Sequence, residues 1–546
     1  MRTTGDPSHA IFADGVFRHA DRGAVRPCSP LDRRRATSWI EIDLGHLASN
    51  VTALRRLTGP RVGIAAVIKA DAYGLGAAPV GRILEGMGVE RLAVYTPAQA
   101  RELREAGIRA NLLILMPARG PEILEMLADA PGGGLNRIAF TVHDEQHAAE
   151  LESVADRAGR RLPLHLEIDT GMSRGGVSPK RAGEALSRIV LSPRLVLEGV
   201  FTHFATADDL VSPFFDDQLE AFLRLLDRVQ HLISEDCLIH AANSAAAFRT
   251  RRSHFGMIRP GMALMGFTGL ESMWPDSKST YQDGPYELNQ PRSDEAASDH
   301  GSRDAMAIGG VGVHGPVQLQ PVCRWVSRVA HVKWIAPGAP VGYGETWRAP
   351  RPTRVGLVPV GFADGYPCGL SNRGVVRLRM RRYAGALSVG VDPGVVATTA
   401  LPLPEDAVMQ SDREDDLCSD EGAASGAHAE NDHLEPRRMA RTWFDAGREE
   451  WLSSRQPDRH ETVWVEVPII GRVSMDQITI DLTDLPQEAG QVGTEVELIS
   501  DDLDAANRLD RLARLADQPP YALLCGLNAR IPRLYRLDPQ SPSRRI

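Results

Sequence analysis

The sequence contains no C-x-x-C pair: its six cysteines (Cys28, Cys237, Cys323, Cys368, Cys418 and Cys525) are scattered. That spacing excludes a disulfide framework and a zinc ribbon, and the thiols are expected to be reduced. No apolar run is long enough to span a bilayer. The first ~35 residues are rich in Arg, Asp, Gly and Pro and lack an apolar h-region, so no secretory signal is expected. An excess of positive charge is missing too. With 62 basic against 71 acidic side chains the net charge is −9, which argues against a general polyanion binder. Neither a metal-ligand motif nor an internal repeat is found. These absences point to a cytoplasmic protein with no nucleic-acid and no membrane partner, and 546 residues allow two or three domains.

What is present is an alternation. Short β-rich runs occur at Arg61–Ile68, Arg91–Tyr95, Asn111–Leu115, Arg137–Val142, Leu164–Asp169, Val196–His203 and Cys237–Ala241. Amphipathic helical patterns such as Pro97–Ala106, Asp144–Ala158 and Asp216–Ile233 lie between them. Repeated β-then-α units with near-continuous apolar strands predict an α/β fold, a (β/α)8 TIM-like barrel over residues 37–270. Polar residues gather at the C-terminal strand ends (Lys69, Asp169–Arg174, His203 and Asn243–Ser244), where a barrel places its chemistry.

Residues 1–36 read as a flexible leader and 271–316 as a polar insertion. From 317 to 546 a smaller, mostly β C-terminal domain is expected. Its turn signals are Pro337-Gly338, Asp364-Gly365 and Asn372-Arg373-Gly374, and a polar, partly acidic excursion interrupts it at about 381–460.

The most informative segment is Val67-Ile68-Lys69-Ala70-Asp71-Ala72-Tyr73-Gly74-Leu75-Gly76. A lysine ending a buried strand loses solvation, which disfavours its ammonium and makes it a better nucleophile, suited to a Schiff base with an aldehyde cofactor. A strand-end lysine is ordinarily a solvated side chain; the Tyr and Gly residues that follow, expected to open a helix, set this one apart.

This segment resembles the cofactor-lysine motif of alanine racemases. Further motifs similar to that family follow in order: Asp169-Thr170-Gly171-Met172-Ser173-Arg174, Thr202-His203-Phe204-Ala205, His240-Ala241-Ala242-Asn243-Ser244, Ile258-Arg259-Pro260-Gly261, Val341-Gly342-Tyr343-Gly344, Gly361-Phe362-Ala363-Asp364-Gly365 and Gly471-Arg472-Val473-Ser474-Met475-Asp476. The resemblance implies a homodimeric, pyridoxal 5'-phosphate-dependent isomerase that interconverts L- and D-alanine for cell-wall synthesis. Lys69 would carry the cofactor as an aldimine and act as one base. Tyr343, supplied by the partner subunit, would be the base on the opposite face. Because a free phenol has a pKa of about 10, a tyrosine base needs help, and His203 stacked toward Arg259 would give it.

Arg259 would face the pyridine nitrogen and donate to it. Tyr73, Asn243, Ser244, Gly261, Met262 and Tyr521 would complete the cofactor site, with Ser244 also read as a helix N-cap. Arg174 would reach the cofactor's phenolic oxygen and the substrate carboxylate, with the Met475 backbone N–H as a second carboxylate donor. Glu167 stands where some family members carry a carbamylated lysine, and is expected to fix Arg174 by a charge-assisted hydrogen bond. Phe362 and Ser474 depart from a frequent Tyr and Cys. A racemase of serine or of broad specificity, an amino-acid decarboxylase on the same plan and a non-catalytic cofactor-binding protein are the alternatives.

Overall fold

Eight parallel strands close into a barrel: β2 (Gly63–Val67), β3 (Arg91–Val94), β4 (Leu112–Ile114), β5 (Ile138–Val142), β6 (Leu162–Glu167), β7 (Leu195–Phe201), β8 (Leu238–His240) and β9 (Met257–Ile258). The computed structural model describes residues 36–128, 137–270, 317–383, 386–388 and 461–537. The expected leader and the two expected insertions lie outside the described residues, apart from residue 36, residues 381–383 and the short strand at 386–388.

Side chains alternate across each barrel strand, as a period of two requires. Ile64, Leu92, Leu112 and Phe140 join the core shared with the surrounding helices. Their neighbours Val67, Ala93, Leu113 and Ala139 form a separate cluster inside the barrel. Local signals set the helices. Thr96 and Gln99 form a capping box with Pro97 at the first turn of Pro97–Glu105, and Asp144 accepts from the His147 N–H to start Glu145–Ala158.

β1 (Ser38–Asp43) departs from the expected grouping of residues 37–270. It pairs antiparallel with β10 (Cys323–Arg328) and parallel with β18 (Arg533–Arg536), so its backbone belongs to the C-terminal sheet. The cause lies in its side chains. Trp39, Ile40 and Ile42 are wholly buried, and Glu41, 2 % exposed, is paired with Arg324 of β10 at 3.0 Å. The same sheet includes β13 (Val375–Tyr383), β14 (Ala386–Ser388), β15 (Glu461–Pro468) and β17 (Glu495–Ile499). A second sheet joins β11 (His331–Ile335), β12 (Thr353–Val358) and β16 (Ile478–Asp481).

Candidate active site

Lys69 follows β2 and opens a turn that the expected right-handed helix does not describe. Ala70, Asp71, Ala72 and Tyr73 all have left-handed backbone angles, φ 52° to 58°. Each such residue costs ~1–2 kcal/mol, and such strain persists only where the surroundings enforce it. Here the Ala72 N–H donates to Ile68 O at 3.0 Å and Gly76 N–H to Asp71 O at 2.9 Å. The Asp71 carboxylate accepts from the Ala77 N–H at 2.6 Å. The turn leaves Lys69 half-buried and Tyr73 buried. Loss of solvation, and then the nearby Arg174 guanidinium, hold the Lys69 amine below its ordinary pKa. Burial pushes the Tyr73 phenol well above its usual range, so it stays a neutral hydroxyl.

Arg259 is 5 % exposed and anchored by four acceptors. NH1 donates to His240 Nδ1 at 2.7 Å; NH2 donates to Thr202 O at 2.7 Å, Ala241 O at 3.0 Å and His203 Nδ1 at 3.3 Å. The guanidinium also lies 4.8 Å from the centroid of the Phe201 ring. Its Nε–H has no acceptor among the described residues. Burial lowers the Arg259 pKa to about 10, so it remains a cation near neutral pH. His203 and His240 are held well below the ordinary histidine range by burial and by Arg259, and are neutral.

Ser244 does not cap a helix: the Asn243 carboxamide does, accepting from the Ala246 N–H at 2.9 Å. The Ser244 hydroxyl instead accepts from the Gly261 and Ala263 N–H groups at 3.0 and 3.1 Å. The Gly261 amide is therefore already engaged, while the Met262 N–H has no partner among the described residues. A methyl at Gly261 would overlap the Tyr73 hydroxyl, so glycine there is required by close approach. Tyr521, half-exposed on the helix Pro520–Gly526, comes from the C-terminal domain. That helix packs on the Lys69 turn, with Leu524 O 2.8 Å from where a Gly74 Cβ would sit.

Glu167 corrects an expectation. Its carboxylate is turned to His143, Oε2 to Nδ1 2.8 Å, and makes no ion pair with Arg174 among the described residues. Arg174 is exposed on a loop held by Asp169, which accepts from the Gly171 and Ser173 N–H groups at 3.0 and 2.9 Å. Tyr343 and Met475 stand apart from the barrel residues. They are 73 % and 57 % exposed, and Phe362 is 45 % exposed. Phe362 and Ala363 donate to the Ser474 and Met475 carbonyls at 3.0 and 2.9 Å, joining those two loops.

Hydroxyls of Tyr73, Ser244 and Tyr521, a free amide at Met262, a depressed lysine and a fixed guanidinium make a donor set that fits an aldehyde carrying a phosphate. The anchoring of Arg259 by His240 and Thr202 is not expected from the sequence. What the sequence does carry is the polar lining of β6, where His165 and Glu167 alternate with Leu164 and Leu166 and so face the barrel interior.

The alanine racemase N-terminal domain matches residues 42–269, and the alanine racemase C-terminal domain matches 322–427 and 453–535. The chain belongs to the alanine racemase family. It is 35 % identical to an alanine racemase of Geobacillus kaustophilus, over 62 % of this chain and 75 % of that one. An alanine racemase of Halothermothrix orenii is 28 % identical over 91 % of this chain and 97 % of its own length. Among solved structures, the alanine racemase of Bartonella henselae with covalently bound pyridoxal phosphate shares the fold, with a TM-score of 0.59 and 20 % identity over 92 % of this chain and all (100 %) of that one. The chain is thus a racemase, an isomerase by reaction class. No helix among the described residues is long and apolar enough to cross a membrane.

Proposed function

We propose that the protein interconverts L- and D-alanine with pyridoxal 5'-phosphate bound through Lys69, as a cytoplasmic homodimer that supplies D-alanine for peptidoglycan. The observation that carries this reading is the pairing of a half-buried, pKa-depressed Lys69 with a buried Arg259 that is anchored on His240. The cofactor, when bound, supplies an electron-withdrawing ring that acidifies the α-proton of an attached amino acid. Tyr73, Ser244, Tyr521 and the Met262 amide would hold its phosphate end, with Asn243 shaping that end by capping the Ser244–Arg249 helix. The Arg259 guanidinium, a permanent donor, would donate to the ring nitrogen and oppose its protonation, which disfavours the decarboxylase alternative.

Racemisation requires a proton to leave one face of the α-carbon and return to the other. Lys69 Nζ serves one face. The phenol oxygen of Tyr343, brought by the partner subunit, serves the other. Its exposure in the single chain supports this, because a group destined for a neighbour's site is uncovered until the neighbour arrives. His203 accepts at Nδ1 from Arg259, so its proton sits on Nε2, available to the phenol. Arg174 and the Met475 amide bind the substrate carboxylate.

The test is formation of D-alanine from L-alanine, and the reverse, with incorporation of solvent deuterium at the α-carbon. Lys69→Ala and Tyr343→Phe each abolish it. Mixing the two inactive variants restores roughly a quarter of wild-type activity, because half the dimers are mixed and each mixed dimer has one intact site. No restoration on mixing would show that Tyr343 serves its own chain, and absence of racemisation in the wild type would refute the reading.

A further inference from the structure

Behind Arg259 the barrel interior holds a second line of polar side chains that the proposed chemistry does not use. His240 Nε2 lies 2.8 Å from His165 Nδ1, and both rings are wholly buried. His165 Nε2 has no hydrogen-bond partner among the described residues; Glu198 Oε2 lies 4.0 Å away, and Glu198 pairs with Arg91 at 2.5 Å. Arg91 begins β3 and Arg259 follows β9, so the line runs from the N-terminal mouth of the barrel to its active face. The apolar residues Val67, Ala93, Leu113 and Ala139 of β2 to β5 fill the other part of the interior.

The hydrogen-bond directions in this line are determined. A guanidinium can only donate, so His240 Nδ1 accepts from Arg259 and the His240 proton must be on Nε2. That N–H donates to His165 Nδ1, which places the His165 proton on its own Nε2. The backbone is shaped to seat the His165 ring. A methyl at Gly199 on β7 would overlap that ring, and the β6–β7 register shifts between Leu164 and His165. A bulge and a glycine facing one buried imidazole mark a position built for it.

We propose that His165 is a positioning residue for Arg259: by accepting from His240 it fixes the tautomer that leaves His240 Nδ1 free to hold the guanidinium. Without that acceptor the His240 N–H is stranded in a closed interior, and the proton moves to Nδ1, where it opposes an Arg259 N–H. Arg259 then loses one of its four anchors. The consequence for catalysis rests on the racemase reading; the tautomer chain does not.

The experiment compares cofactor-loaded wild type with His165→Leu, which fills space without an acceptor, and His165→Asn, whose Oδ1 replaces Nδ1. His165→Leu lowers kcat about 30-fold with KM within about threefold and shifts the absorbance maximum of the bound cofactor; His165→Asn recovers most of the rate and the spectrum. Equal loss in both variants overturns the proposal, since packing alone would then explain it. Independently of turnover, protein labelled with 15N-histidine shows a coupling across the ring-to-ring N–H···N bond of the wild type, and its absence also overturns the proposal. A wild type that shows the coupling but racemises nothing refutes the racemase reading and leaves the tautomer chain standing.

Discussion

His143 Nδ1 lies 2.8 Å from Glu167 Oε2, and the two side chains are only 13 % and 11 % exposed. Glu167 shapes the Arg174 loop through its backbone: the Val177 N–H donates to Glu167 O at 2.8 Å and the Asp169 N–H to Val177 O at 2.9 Å. The loop glycine next to Arg174 packs on the same pair, His143 Nδ1 lying 2.9 Å from a Cβ built on Gly175. The Glu167 backbone therefore holds the floor of the loop, while its carboxylate holds the His143 ring that packs on Gly175, and not the Arg174 guanidinium.

Glu167→Gln should accordingly act on stability before affinity. Removing one member of this nearly closed pair is expected to cost about 1–3 kcal/mol and to lower the melting temperature by several degrees, with KM for alanine changed less than about threefold. Thermal denaturation and steady-state kinetics check this. A large rise in KM at unchanged stability would show that the carboxylate serves Arg174 directly.

Arg174 also acts at a distance on Lys69, as the second cause, after burial, of its lowered pKa. Attachment of the aldehyde needs the neutral amine, so the capture rate rises with pH through the lysine pKa. Arg174→Gln removes a positive neighbour, raises that pKa, and moves the profile to higher pH. The measurement is the growth of cofactor absorbance on apoprotein across a pH series; a shift to lower pH would contradict the assignment.

Gly261→Ala drives a methyl into the Tyr73 hydroxyl. We expect pyridoxal phosphate affinity to fall at least about tenfold, because overpacking at a closed site costs about 1–3 kcal/mol. Adding Tyr73→Phe removes the clashing oxygen and leaves the ring Cζ 3.0 Å from that methyl, so the double variant should recover fold stability while remaining weak for phosphate. Fluorescence titration with cofactor and a melting curve separate the two effects.

Arg324 lies between Glu497 at 2.5 Å and Glu41 at 3.0 Å, tying β17 and β1 to β10. Both carboxylates are 2 % exposed by side chain. Arg324→Leu leaves Glu41 with Arg536 and Glu497 with Arg377, at 3.4 Å, as arginine partners, and should destabilise the protein by about 1–3 kcal/mol, read as a lower urea midpoint. Adding Glu497→Gln should return part of that loss if Arg324 is the dominant partner of Glu497, whereas a further loss would show that the 3.4 Å pair with Arg377 outweighs it.

Much of this protein can be read from local pattern. All seven expected barrel strands are present within a few residues of their expected bounds, because buried strands declare themselves as apolar runs and caps such as Thr96 and Asp144 mark where helices begin. Lys69 was readable for the same reason: a charged residue ending such a run contradicts its surroundings. The left-handed turn after it was not, since Ala-Asp-Ala-Tyr has ordinary right-handed preferences and only tertiary contacts impose the opposite hand.

The sequence by itself determined the alternation of elements, the interior and exterior faces of each strand, and the residue types offered to the site, because these follow from periodicities of two and 3.6 residues. Tertiary structure alone decided the partners: β1 joining the distant C-terminal sheet, Glu167 turning to His143, and Arg259 resting on His240 and, through it, His165. Those pairings link residues far apart in the chain, and a side chain with several reachable partners is committed only when packing closes off the others.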